Sequence, residues 1–225
     1  MGSKVSNFCK GSEEQFNRFD ILSWQFYSSF DDGFIEITDR HGKKLNCSVK
    51  DITNNKDIIM RLIACRICGN ALTLSITSDV LRNDQEVVMA AVSRNGRELW
   101  YASNELKNNK EIVMAAVSQC GRALYYAHDD LKKDKTVVLA AVNVHGDALK
   151  YAYIALSQDR EVVLVAVSQD GLALKFADDL LKNDKEIVLQ AVKKNPHAIY
   201  YASQLLQNDP DIEPFIMSQA KRPHR

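Results

Sequence analysis

The sequence predicts an all-α protein, an alpha-solenoid of 25-residue helix-turn-helix repeats with a small non-repeat element at its N-terminus. Three periodic series carry that prediction. Gly96, Gly121, Gly146 and Gly171 are spaced by 25, and Pro196 falls on the next step. Asp84, Asn109, Asp134, Asp159, Asp184 and Asp209 keep the same period, as do Leu106, Leu131, Leu156, Leu181 and Leu206. A fixed period of this length marks stacked units that cannot bury an apolar face alone.

Each unit divides into two halves. In "NDQEVVMAAVSRNGRELWYASNEL", Val88, Ala91 and Val92 keep the three-and-four spacing of a helix face. Asp84 is placed to cap that helix through its free N–H groups, and Glu86 suits the positive end of the dipole. Asn95 and Gly96 end it, the glycine being expected in the left-handed conformation that closes a helix. A second helix should follow at once, with Leu99, Ala102 and Leu106 on its buried side. Each of the two helices is expected to run for about ten residues, too short to be stable singly in water.

Around the regular units the period loosens. Residues 1–50 do not follow it, and "GFIEIT" and "KKLNCSV" flank "DRHG", which reads as a β-hairpin turn. Residues 51–82 match a unit once two residues are added in each half, and are read as a degenerate capping repeat. Five regular repeats then occupy 83–208. Residues 209–225 are read as a terminal capping helix and basic tail, with Pro210 at the first helical position and Pro214 where other units carry Met or Leu.

Apolar residues make up 46% of the chain, enough for a sizeable core. Twenty-nine basic residues balance twenty-nine acidic ones, which disfavours a generic nucleic-acid binder. No apolar run approaches the roughly 20 residues of a membrane span, and a soluble protein is expected. Cys9, Cys47, Cys65, Cys68 and Cys120 are odd in number and do not recur with the repeat, so a reducing, cytoplasmic setting is expected.

The pattern "NDKEIVLQAV", a turn, then "ALKFADDLLKNDKEIV" resembles the helical repeat family known as domain of unknown function 4116, over about residues 83–210. The resemblance rests on the acidic first turn, the Ala-Val pair, the glycine, the Tyr-Ala or Phe-Ala pair and the closing leucine. It implies a fold and no activity. It also implies kinship with repeats found in protists, large viruses and intracellular bacteria, secreted effectors among them, hence the host cytosol as a place of action.

Residues with chemical potential find structural explanations in the sequence. Cys65 and Cys68, as "CRIC", lack the second ligand pair of a zinc site. His41, His128, His145, His197 and His224 occupy different repeat positions and keep no ligand spacing, so no metal and no cofactor is expected. Glu86, Glu111, Glu161 and Glu186 sit in first turns, where helix electrostatics accounts for them. "MGSKVS" fits an acylation pattern at Gly2 with Ser6, and equally a cloning remnant.

What remains is a row that changes from unit to unit. Tyr101, Tyr126, Tyr151, Phe176 and Tyr201 stay aromatic and are assigned to packing between units. Beside them Trp100 becomes Tyr125, Lys150, Lys175 and Tyr200, while Arg97 becomes Arg122, Asp147, Leu172 and His197. The expected function is a non-enzymatic scaffold that binds a protein partner, an extended peptide or a helix, through Arg97, Trp100, Arg122, Tyr125, Lys150, Lys175, His197 and Tyr200. Two rival readings are an RNA-binding helical repeat and an enzyme in the N-terminal element with Cys9 or Cys47 as nucleophile.

Overall fold

A computed structural model of the chain describes residues 21–27, 34–39, 44–48, 52–64 and 73–220. They fall into two compact units, Met1–Leu106 and Lys107–Arg225.

In the first unit β1 (Ile21–Tyr27), β2 (Phe34–Asp39) and β3 (Lys44–Ser48) form an antiparallel sheet in that order. The two segments expected to flank a hairpin are β2 and β3, with Thr38 opposite Lys44 and Ile35 opposite Cys47. β1 adds a strand that the sequence reading did not expect. After the sheet come α1 (Lys56–Ala64), a 3-10 turn (Thr73–Ile76), a four-residue helical turn (Asp79–Arg82) and α2 (Gln85–Arg94).

The second unit repeats one pattern. Its long helices are α3 (Lys110–Gln119), α4 (Lys135–Val144), α5 (Arg160–Gln169) and α6 (Lys185–Lys194), each packed on the next. Each buries the same four positions, such as Ile112, Val113, Ala116 and Val117. Full burial of a valine- or isoleucine-sized side chain is worth about 1.5–3 kcal/mol, so the stack rests mainly on this face. A carboxylate or amide side chain caps each helix: Asp134 accepts from the N–H groups of Thr136 and Val137, and Asn109 from those of Glu111 and Ile112.

The second half of each repeat is not a ten-residue helix. Gly96–Tyr101, Gly121–Tyr126, Gly146–Tyr151, Gly171–Phe176 and Pro196–Tyr201 are 3-10 helices of six residues. The backbone then turns extended at Ala102, Ala127, Ala152, Ala177 and Ala202, and a short turn such as Asp129–Lys132 follows. The break occurs because the next N–H bonds to the preceding repeat. In the second unit His128 N donates to Lys107 O at 2.9 Å, Tyr153 N to Lys132 O at 3.0 Å, Asp178 N to Ser157 O at 3.0 Å and Ser203 N to Lys182 O at 2.9 Å.

The repeat glycines are also required for another reason than the one expected. The residue before each, such as Cys120 with φ −146° and ψ 100°, is extended, and no left-handed closure occurs at Gly121, Gly146 or Gly171. A Cβ on Gly121 would instead lie closer than 3.0 Å to the carbonyl oxygen of Ala141, and Gly146 and Gly171 stand in the same relation to Ala166 and Ala191. Glycine is there because the backbone of one repeat presses on the helix of the next.

At the C-terminus α7 (Glu213–Ala220) starts at Glu213 and not at Pro210. Pro214 explains the delay: it has no N–H to donate to the carbonyl four residues back, so it is tolerated only in a first turn.

Candidate interaction surface

The 3-10 geometry creates the exposed stripe. With three residues per turn, side chains at i and i+3 eclipse, so the residue after each glycine and the one three further on stand on one edge. On an α-helix at 100° per residue Arg97 would face away from Leu99 with Trp100 only flanking it; here the two share an edge. In the second unit this edge carries Arg122 with Tyr125, Asp147 with Lys150, Leu172 with Lys175, and His197 with Tyr200. Behind it Leu124, Leu149, Leu174 and Ile199 are buried.

Accessibility divides the aromatic residues. Tyr125 is 53% and Tyr200 73% exposed, and Trp100 in the first unit is 54% exposed. The adjacent Tyr126, Tyr151 and Phe176 are half-buried. Tyr200 is stacked on His197 at 6.1 Å, as the eclipsed spacing requires.

Three members of the row, Tyr125, Lys175 and Arg122, also hold repeats together. Tyr125 sits between its neighbour Tyr126, at 5.2 Å, and Tyr151 of the following repeat, at 5.1 Å. Lys175 lies over Phe176 at 5.8 Å and over Tyr201 of the following repeat at 6.0 Å. Lys150 lies over Tyr151 at 4.7 Å and pairs with Asp147 at 3.3 Å. Arg122 reaches the same carboxylate with its Nε at 2.9 Å, and its hydrogen bond to Asp147 raises its already high pKa. The aspartate, a member of the variable row that is not among the expected partner-binding residues, thus anchors two of its cations. Arg97 and Trp100 stand at the equivalent positions of the first unit, Arg97 exposed.

A second series of charges is engaged in stacking. In the second unit the base that follows each N-cap bonds to the aspartate at the N-cap position of the next repeat or, at the last step, to its equivalent Asp209: Lys110 to Asp134 at 2.6 Å, Lys135 to Asp159 at 2.7 Å, Arg160 to Asp184 at 2.9 Å and Lys185 to Asp209 at 2.9 Å. In the first unit Lys56 bonds to Asp84 at 2.8 Å. Glu161 and Glu186 join as additional partners of Lys135 and Arg160, and Glu86 as a partner of Lys56. Three of the first-turn acids, Glu86, Glu161 and Glu186, therefore serve a neighbouring repeat as well as their own helix dipole.

One buried residue escaped the sequence reading. Glu98 is 2% exposed, and its two carboxylate oxygens accept the N–H groups of Thr73 and Leu74. Burial pushes its carboxyl up to about 7, against the pull of those two N–H groups. The signal was present in the period, since positions 123, 148, 173 and 198 are all alanine. Equally unforeseen are Ile154, Leu180 and Leu205, strongly exposed aliphatic residues on the short turns of the second unit.

Among the described residues the histidines and cysteines do not converge. His145 Nδ1 accepts from Gly121 N at 3.1 Å, and His128 Nδ1 from Asp130 N at 3.3 Å. Cys120 is a half-buried free thiol at the end of α3. Gly2, Ser6, Cys9, His41, Cys65, Cys68 and His224 lie outside the described residues. Among the described residues no three His, Cys, Asp or Glu side chains group as metal ligands, and no helix is long and apolar enough to cross a membrane.

Compared with known proteins, the chain matches one family model, Domain of unknown function (DUF4116), three times in tandem over residues 55–107, 109–156 and 159–212. No curated protein and no solved structure matches it.

Proposed function

Since the chain belongs to the DUF4116 family of helical repeats, we propose that it is a non-enzymatic scaffold whose 3-10 stripe binds a protein partner, as an extended peptide or a helix. The observation that carries this reading is the exposure of Tyr125 and Tyr200 beside fully or nearly buried Leu124 and Ile199. Large rings left in water on a rigid edge present area at little cost in side-chain entropy, which is how interface hot spots are built. Arg122, Lys150, Lys175 and His197 complete the stripe in the second unit, and Arg97 and Trp100 contribute in the first. Action inside a host cell, as a secreted effector, belongs to this reading and is supported by the family resemblance alone.

Capture from host-cell lysate tests it. The wild-type chain should retain a partner, and Tyr125→Ala with Tyr200→Ala should weaken retention at least about tenfold, a loss typical of hot-spot residues. Unchanged retention by the double variant would sink the stripe as the binding face. A single cysteine, Cys9 or Cys47, labelled far faster than the others by a thiol probe would instead favour the enzyme reading.

A further inference from the structure

We propose that the stripe of the second unit takes an acidic peptide in the polyproline conformation, whose carboxylates recur at about every third residue. The inference rests on the scaffold reading and specifies the partner's chemistry.

Charge is its first support. The four 3-10 segments of this unit, "GRALYY", "GDALKY", "GLALKF" and "PHAIYY", hold Arg122, Lys150 and Lys175 against the single carboxylate of Asp147. Elsewhere in the unit, the bases that follow the N-caps are each matched to an aspartate of the next repeat. The stripe differs: Arg122 and Lys150 share one aspartate, and among the described residues Lys175 touches only the rings of Phe176 and Tyr201. A cation over ring faces still has N–H donors to give to a carboxylate. It is prepared for a carboxylate that the protein itself does not supply.

Spacing is the second support. The 3-10 segments of successive repeats pack side by side, and packed helical elements lie roughly 8–10 Å apart. A polyproline helix rises about 3.1 Å per residue and turns once in three, so one repeat corresponds to three residues and returns to the same face of the peptide. A peptide lying along the stripe would thus meet Lys150 and Lys175 with side chains at i and i+3, between Tyr125 at one end and Tyr200 at the other. A polyanion such as RNA is less well served: the chain's formal net charge is zero, giving no long-range attraction for a phosphate backbone.

Fluorescence anisotropy with the full chain provides the test. The probe is a labelled peptide of Glu-Pro-Pro triplets, whose left-handed helix of three residues per turn puts carboxylates on one face about 9 Å apart. The controls are the Gln-Pro-Pro counterpart and an oligouridine. The acidic peptide should bind at least about tenfold more tightly than the glutamine peptide. Lys150→Gln with Lys175→Gln should abolish that preference, and Lys150→Arg with Lys175→Arg should keep it. Equal binding of the two peptides overturns the acidic specificity while leaving a peptide-binding stripe in place. Binding of neither peptide, or preference for the oligouridine, overturns the inference too; the lysate capture then decides the scaffold reading by itself.

Discussion

A methyl group added to Gly121 would meet the backbone of α4, not the tip of a flexible side chain. Gly121→Ala should therefore destabilise the protein by about 1–3 kcal/mol or more, the usual range for overpacking, as measured by urea denaturation. A loss under about half a kcal/mol would mean that α4 gives way freely. The glycine period was legible in the sequence but its cause was not, because a helix end and a backbone contact with the next repeat both call for the smallest residue. The same holds for Tyr125, whose variability suggested freedom from the stack. Its ring contacts with Tyr126 and Tyr151 are worth about 0.5–1.5 kcal/mol each beyond area burial, so Tyr125→Ala should lower the thermal midpoint measurably while leaving a folded chain.

At the scale of an element, each long helix is fixed by a buried face and by a cap that also serves the stack. Leu124 is fully buried and Leu131 lies at the margin of the core, 8% exposed. Leu124→Ala should cost about 2–5 kcal/mol and Leu131→Ala a value at the lower end of that range, both by equilibrium unfolding. The two functions of Asp134 are separable. Asp134→Asn keeps an acceptor for the N–H groups of Thr136 and Val137 but loses the ion pair with Lys110, and should cost no more than about 1 kcal/mol, as exposed pairs do. Asp134→Ala also loses the cap, which should cost about 1 kcal/mol more. Equal effects of the two variants would mean that the cap contributes nothing. Long helices and their caps were legible because apolar period and capping chemistry are local. The 3-10 segments were not: the N–H two residues beyond each of them bonds to a carbonyl of the preceding repeat, a choice made by the stack. A clue lay in Ser103, His128, Asp178 and Ser203, which share one repeat position and cap the short turns.

Over the whole molecule the recurring carboxylates and the buried Glu98 act on stability in opposite directions of pH. The N-cap aspartates Asp84, Asp134, Asp159 and Asp184, and Asp209 at the equivalent repeat position, are all held below the usual range. Burial opposes this at Asp84 and Asp184, where Lys56, Arg160 and backbone N–H groups outweigh it. At Asp134 the hydrogen bonds of Lys110 and Thr136 hold the carboxyl down to about 2. A depressed pKa contributes stability that is present above the unfolded value of 3.8 and is lost as pH falls through the folded value. Glu98 has the reverse sign. Its folded value of about 7 exceeds the unfolded 4.5, so its contribution is complete below 4.5 and is lost as pH rises through 7. The difference corresponds to about 3 kcal/mol at most. Stability measured by urea titration should therefore peak between pH 4 and 5 and decline on both sides. The two limbs respond to different changes: high salt, which screens the exposed aspartate pairs, should flatten only the acid limb, and Glu98→Gln should flatten only the neutral one. If stability stays level from pH 5 to 8 in the wild-type chain, the two N–H groups of Thr73 and Leu74 suffice to keep Glu98 ionised in its buried position, and the carboxylate is then a fixed cap for the 73–76 turn with no part in the protein's response to pH.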